Sequence, residues 1–473
     1  MRPIPAPLAL IALLAGCTVG PNYAGPPQAA PKAPAFVRSG DAPVAATAPV
    51  ARWWEALGDP VLNDLVSRAL TANPNIAVAE ARLRQARAAI RLEKANELPS
   101  ANAQALYAHA HLPGVNFTAN NSGSGSTDLD LFNLGFDATW EVDLFGGQRR
   151  AIEAARAQAG AAEAKLADAQ VSLSAEVVQA YVNLRDRQRR IDLSTRSVQM
   201  QEQMLALTQQ RYDRGTASRL DVTRLQNQLD GTRADITPLH AELEAYLDEL
   251  ATLTGGAPGT PDDRLKTAQP IPLPPAQVAV GDPAALLQRR PDIRAAERTL
   301  AADTAKIGQA EAARFPKLSF MGIIGLGGTS PSDLTKLDDF TALVAPQLSW
   351  NFLDFGRNKA RVVQAEGVRD EAEGQYRATV LAALRDAEDS LSRFRYRRIT
   401  VATLARAKAE ADEALALSEQ RYKAGTSTLI DLLDARRQQI AAEQNLSQAE
   451  AGLTGDFVAI QKALGLGWGS AAG

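Results

Sequence analysis

Arg421-Tyr422-Lys423-Ala424-Gly425-Thr426 interrupts an otherwise unbroken stretch from Asn358 to Lys462 that is rich in alanine and free of proline. The arm before it, Asn358 to Lys423, is 66 residues long. As one helix it would reach about 100 Å at ~1.5 Å per residue, roughly three times the hydrocarbon thickness of a bilayer. Charged side chains occur all along it, so it is no membrane span. The expected structure is a very long solvated helix, a sharp turn at Gly425, and a shorter returning helix.

Composition narrows the classes. The chain has 473 residues, a formal net charge of −3, and no basic footprint for nucleic acid. Only 5% of residues are aromatic, low for a chain filled with globular cores, while abundant alanine suits helix propensity and close helix approach. One cysteine and three histidines exclude a disulfide framework and a Cys/His metal cluster within one chain. His109, His111 and His240 have no catalytic Cys, Ser or Asp constellation around them, so neither catalytic residues nor metal ligands nor a cofactor are expected. Asp262-Asp263 and Asp338-Asp339 read as solvated loop charges.

The N-terminus reads as a targeting segment over 1–16. Arg2 is its only charge and Leu8 to Leu14 is too short to span a bilayer. Leu14-Ala15-Gly16-Cys17 then resembles the lipobox of bacterial lipoproteins, which makes Cys17 the expected lipidated first residue of the mature chain. Thr18, in place of an aspartate, favours the outer membrane. Acyl chains there would suffice for stable anchoring. Residues Thr18 to Pro49 are rich in Pro, Ala and Gly and read as an extended tether; order is expected from Trp53-Trp54, within a segment 17–70 that ends in a short helix.

A first repeat is expected over 71–254. Its helix runs from Asn75 to about Glu97. Its hairpin, 101–143, has a strand with strict alternation: Phe132, Leu134, Phe136, Ala138, Trp140 and Val142 against Asn133, Gly135, Asp137, Thr139, Glu141 and Asp143. A half-buried hairpin on a soluble core fits this pattern, and so does a membrane hairpin with its apolar face outward and Trp140 in an aromatic girdle. A long helical hairpin follows over 148–252. Ile191, Val198, Leu205 and Tyr212 fall seven apart, as in a coiled coil, and Pro238 is expected to kink or split the returning arm.

The chain then repeats itself. A shift of 210 brings Trp140 to Trp350, Phe145-Gly146 to Phe355-Gly356, Arg211-Tyr212 to Arg421-Tyr422, Gly215 to Gly425 and Asp221 to Asp431. A shift of 217 brings Pro74 to Pro291, Glu80 to Glu297 and Pro99 to Pro316. The second repeat spans 290–465, with a hairpin over 316–353 and helices over 358–462. A Pro-rich connector, 255–289, separates the halves, and 466–473 is a tail. The second strand of that hairpin is expected to carry Val344, Pro346, Leu348, Trp350 and Phe352 on one face. Four strands are too few to close a barrel, for which about eight is the minimum. Open strand edges cannot face lipid, so membrane strands here imply several chains sharing one barrel.

Gly16-Cys17 with Gly20-Pro21-Asn22-Tyr23, Trp53-Trp54 with Asp59-Pro60, Arg290-Pro291-Asp292-Ile293 with Ala296-Glu297, and Arg421-Tyr422-x-x-Gly425 with Asp431 resemble the TolC-type outer-membrane factors. The likeness is strongest to their lipoprotein subgroup, the NodT family of OprM-like efflux channels. The resemblance implies a mostly α protein with membrane β. Each chain would give four β-strands to a shared 12-stranded trimeric β-barrel, above a long periplasmic α-helical coiled-coil barrel. It implies a homotrimer, bound to a periplasmic adaptor (membrane fusion) protein and an inner-membrane RND transporter, that conducts small molecules or drugs outward. The tips would form a periplasmic gate: Tyr212, Gly215 and Asp221 in one, Tyr422, Gly425, Asp431 and Asp434 in the other. Three copies of Asp431 and of Asp434 would make two acidic rings, although acids in first helical turns are also favoured by the helix dipole alone. An arginine of the family's gate matches Ser427 here, with Arg214 and Arg219 the nearby cations. The alternatives are a type I protein-secretion outlet and a non-conducting periplasmic scaffold or adaptor; two hairpins and paired amphipathic strands speak against the latter.

Overall fold

The computed structural model describes residues 18–29, 36–39, 44–45, 50–113, 126–260, 262–280, 283, 289–335, 338 and 340–468. Cys17 and Asp339 lie outside these. The chain forms two compact units. One holds the sequence up to Pro27 with Leu83–Ala162 and Ala296–Tyr376; the other holds Gln28–Arg82, Glu163–Ala295 and everything from Arg377 on.

Eight helices are described: α1 (Pro60–Ala72), α2 (Pro74–Ala95), α3 (Gly147–Asp213), α4 (Arg219–Leu253), α5 (Asp263–Lys266), α6 (Pro291–Ala312), α7 (Arg357–Lys423) and α8 (Leu429–Ala463). Six strands accompany them: β1 (Val44–Ala45), β2 (Ser100–Pro113), β3 (Ser126–Val142), β4 (Val278–Ala279), β5 (Lys317–Gly328) and β6 (Phe340–Ser349). The duplication is exact at the helix ends: α2 and α6 are offset by 217 residues, α3 and α7 by 210, α4 and α8 by 210. Each long helix has 67 residues, about 100 Å of rise.

In the first unit, β2, β3, β5 and β6 form one antiparallel sheet in that order. The register puts the expected apolar set on one face. Leu134 pairs with Ala105 and Leu326, Phe136 with Ala103 and Ile324, and Trp140 with Phe320. Asn102, Asp137, Thr139, Glu141 and Ser319 share the other face. Toward the loop end the polarity reverses. There the apolar face carries His109 beside Asp130 and His111 beside Asp128, with Nδ1 to Oδ1 distances of 2.9 and 2.5 Å. The opposite face carries Leu106, Leu131 and Leu343. Strands of 14 and 17 residues exceed the roughly 9–11 that cross hydrocarbon, so their ends extend past any apolar band.

Both hairpins enter the sheet through the same tryptophan anchor. Trp140 Nε1 donates to the Glu97 carbonyl at 2.9 Å, and Trp350 Nε1 to the Arg314 carbonyl at 3.1 Å. Beside them Arg150, whose side chain is buried, donates to the carbonyls of Val19 and Gly20 and to Asn22 Oδ1. The Tyr23 hydroxyl donates to Glu297. The tether is therefore fastened rather than free where it is described.

Several expectations need correction. Pro238 does not split the returning arm, which is one unbroken α4; burial of Leu229, Leu239 and Leu250 carries the helix past the one backbone hydrogen bond a proline removes. Trp350 and Phe352 lie beyond β6, whose last pair is Lys317–Ser349. Toward the tip, the buried positions of α3 are Leu193, Ser194, Ser197, Gln201, Met204 and Thr208, beside the expected stripe, of which Ile191, Val198 and Leu205 are half-buried and Tyr212 is exposed. Gln201 donates to Thr232 of α4 and Gln444 of α8 donates to Ser194, so small polar residues set this seam. The Pro-rich connector has buried residues of its own, Leu265, Val278 and Val280, and β4 pairs in parallel with β1 from the tether. Asp262 is no free loop charge. It caps α5 and pairs with Arg264 and Arg68; the Arg264 guanidinium, followed by Arg68, holds its carboxyl down at about 2 despite some desolvation.

In the second unit the core gathers α1, Trp53, Trp54 and α8. The Trp53 ring lies 5.8 Å from those of Trp54 and Phe457, edge to face in both cases. Arg290 donates to the Ala463 carbonyl at 2.9 Å and to both oxygens of Asp292, closing the C-terminus of α8.

Candidate functional site

Both tips are built by one local code written twice. At the end of α3 the Gly215 amide donates to Tyr212 O at 2.8 Å and the Thr216 amide to Arg211 O at 2.8 Å. At the end of α7 Gly425 donates to Tyr422 O at 3.0 Å and Thr426 to Arg421 O at 2.9 Å. This is the paired bonding of a Schellman stop, which needs a left-handed residue; Gly215 and Gly425 supply φ of 74° and 72°. Threonine adds a second bond, since Thr216 and Thr426 hydroxyls also donate to Arg211 O and Arg421 O.

The returning helices start with a capping box. Ser218 Oγ accepts from the Asp221 amide while Asp221 Oδ2 accepts from the Ser218 amide and hydroxyl. Thr428 and Asp431 repeat all three bonds. The spacing Ser218-x-x-Asp221 and Thr428-x-x-Asp431 is legible in the chain as this motif, with aspartate in the position usually held by Glu or Gln. Asp434 has different partners: Arg437 at 2.8 Å and Gln438 at 2.7 Å. Its charge is thus largely matched, and Asp431 is the less compensated acid of the second tip. Among the described residues, neither Arg214 nor Arg219 forms an ion pair, and the Ser427 hydroxyl oxygen is buried with no hydrogen-bond partner. The tip residues are brought together within each turn, and the hydrogen bonds of Asp221 and Asp431 stay inside their own capping boxes.

Hydrogen bonds from Ser218 hold the Asp221 carboxyl below the ordinary carboxylate range, those from Thr428 do so for Asp431, and Arg437 with Gln438 does so for Asp434. A folded value below the unfolded one stabilises the fold above about pH 4 and loses that effect as pH falls through the folded value. Amide exchange at Asp221 and Asp431, corrected for its intrinsic pH dependence, is therefore expected to rise as pH drops from 5 toward 3. It should be flat between 8 and 6; protection that persists at pH 3 would contradict the capping role.

Among the described residues no helix is long and apolar enough to cross a membrane. The apolar face of the sheet carries exposed large side chains, among them Phe136, Ile324, Val344 and Leu348.

The sequence model of the outer membrane efflux protein family matches residues 65–256 and again 283–466, one match per repeat. Nodulation protein T of Rhizobium leguminosarum bv. trifolii is 30% identical, over 96% of this chain and 96% of its own. Outer membrane protein OprJ of Pseudomonas aeruginosa is 31% identical, over 97% of this chain and 95% of its own. The solved structure of the outer-membrane channel OprN superposes with a TM-score of 0.86 at 35% identity, covering 95% of this chain and 99% of that one. With relatives this similar from end to end and the family's pattern met in both halves, the chain belongs to the outer membrane efflux protein family: it is a TolC-type efflux channel component of a Gram-negative outer membrane.

Proposed function

We propose that three copies close one barrel of twelve strands and carry small-molecule substrates through it, passively, from periplasm to exterior. The observation that carries this is the sheet: four strands, one apolar face in its membrane-depth part, and two open edges, β2 and β6. Edges of that kind have no stable place in lipid unless another chain pairs with them. A periplasmic adaptor docks at the tips and an inner-membrane RND transporter supplies the energy and selects the cargo. Cys17 carries acyl chains that hold the mature N-terminus in the outer membrane.

The two tips form the periplasmic gate. Tyr212, Gly215 and Asp221 shape the first; Tyr422, Gly425, Asp431 and Asp434 shape the second. Three Asp431 carboxylates around the axis favour cations and repel one another, which ties the gate to the helix caps. Removing both capping acids, Asp221→Ala with Asp431→Ala, frays the first turns of α4 and α8 where the iris is narrowest. Single-channel recording in planar bilayers is expected to show a several-fold rise in conductance or open time for the double variant. Unchanged conductance in a correctly assembled protein would sink the gate assignment.

A further inference from the structure

The loop end of the first hairpin carries a group of side chains that the duplication does not account for. There β2 holds His109-Ala110-His111 opposite Asp130, Leu129 and Asp128 of β3. Shifted by 217, the two histidines become Leu326 and Gly328 in the second repeat, so the frame common to both halves does not require them. β5 pairs with β3 only from Phe132 on, which leaves this end a two-stranded ribbon within the described sheet. It is the end of the hairpin away from α2 and α3, hence the outer end in a channel whose helices reach into the periplasm.

On a strand, residues two apart point to the same side and lie about 6.6–6.8 Å apart. His109 and His111 therefore form a pair on one face. Each ring is oriented from across the ladder: Nδ1 of His109 lies 2.9 Å from Asp130 Oδ1, and Nδ1 of His111 lies 2.5 Å from Asp128 Oδ1. Asp130 Oδ1 also accepts from the Tyr107 hydroxyl at 3.0 Å, and the Tyr107 ring rests on Phe132. A carboxylate only accepts, so the proton of a neutral ring sits on Nδ1 and the lone pair on Nε2. Neither Nε2 has a hydrogen-bond partner among the described residues, and the two rings are 52% and 56% exposed. Carboxylates hold metal-binding imidazoles in this way, with the acid on one nitrogen and the ion on the other. In the chain alone the three histidines suggest no metal centre; the ladder adds the two carboxylates.

We propose that His109 and His111 bind one divalent transition-metal ion through their Nε2 atoms, with Asp130 and Asp128 as the positioning residues. Two rings on alternate strand positions can turn toward each other to reach one ion at about 2.0–2.1 Å. Imidazole selects copper, nickel and zinc over magnesium and calcium, and copper(II) is bound most tightly. Among the described residues no group of three or more His, Cys, Asp or Glu side chains is placed to hold an ion. The protein thus supplies two ligands and water the others, which makes this an exchangeable site open to the external medium rather than a structural centre. His–Asp pairs that merely pinned the ribbon would show no preference among cations.

Copper(II) titration of the untagged full-length protein in mild detergent, followed by calorimetry and electron paramagnetic resonance, tests the site. One ion per chain is expected, with a spectrum showing two imidazole nitrogens, whatever the number of chains in the particle. Magnesium should not compete. Asp128→Asn with Asp130→Asn should weaken binding about 10–100-fold, and His109→Ala or His111→Ala, which removes one of two ligands, at least as much. His240→Ala, in α4, should change nothing. Carbethoxylation of the wild-type protein, read by peptide mass, should be blocked by copper at His109 and His111 but not at His240; this arm needs no variant to fold. Copper held equally well by the double variant His109→Ala with His111→Ala, or equal modification with and without the ion, overturns the site. Full affinity in the Asp128→Asn, Asp130→Asn variant overturns the positioning role.

Discussion

Gly135→Val is expected to abolish assembled protein in the outer membrane, measured as loss of the heat-modifiable oligomer band by at least about tenfold against Gly135→Ala's smaller loss. Gly135 faces Gly325 across the β3–β5 joint. A Cβ on Gly135 would meet the Ile324 carbonyl oxygen at 2.5 Å and the Gly325 Cα at 2.8 Å; one on Gly325 would meet Leu134 O at 2.7 Å. Those neighbours are backbone, so relief requires the strands to part. This joint is the only pairing between the two hairpins within the described sheet. Overpacking of this kind costs about 1–3 kcal/mol in a core, and here it acts three times in one assembly. Valine adds bulk beyond the first carbon that alanine lacks. Gly325→Val should behave alike, and a Gly135→Val protein assembling at wild-type level would refute the close approach.

The second large effect is expected at Arg185. Its side chain is fully buried within the second unit. The guanidinium donates to the Thr267 carbonyl at 2.7 Å, to Gln188 Oε1 at 2.8 Å and to the Tyr181 hydroxyl at 3.0 Å, and lies 4.7 Å over the Tyr181 ring. Tyr181 in turn donates to Asp59 at 2.5 Å, and Asp59 caps α1. Burial, then the bond to Asp59, pushes the Tyr181 hydroxyl up, so it stays a donor at every physiological pH. Arg185→Met keeps length but leaves the buried Gln188 and Tyr181 oxygens, and the part-buried bond to the Thr267 carbonyl, without their donor, at about 1–3 kcal/mol for each buried group left unpaired. A loss of roughly 3–5 kcal/mol is expected, in the range seen when a buried charged network is broken. Chemical denaturation of the mature protein in detergent measures it. Tyr181→Phe should cost less alone and show coupling with Arg185→Met in a double-mutant cycle; additive effects would mean the two residues do not act as one network.

The long helices and the duplication are legible in the chain because proline-free runs and paired glycine turns are local signals that recur at fixed offsets. The strand alternation around Trp140 is legible for the same reason. What escapes is what depends on distant partners. Nothing near Pro238 announces that Leu229 and Leu239 are buried on both sides of it. The stripe Ile191–Tyr212 has the right period but the wrong phase, because the positions turned inward, Ser194, Ser197 and Gln201, are held by hydrogen bonds such as Gln201 to Thr232 and Gln444 to Ser194, which hydropathy does not reveal. Trp350 reads as strand until its missing neighbour is counted. At the tips, the glycines and the acids are legible, and Ser218-x-x-Asp221 also spells out its capping box. The pairing of Asp434 with Arg437 follows only from helix spacing and rotamer. Arg150 and Arg185 look like ordinary helical surface charges in sequence; only folding buries them.

Three chains around one bore is the claim on which the channel, the shared barrel and the iris all depend. Light scattering of the full-length protein in mild detergent, with the detergent contribution subtracted, tests it directly. The expected protein mass is three times the chain's 50.4 kDa, roughly 150 kDa. A mass of one chain, in a preparation that keeps its sheet, would contradict it.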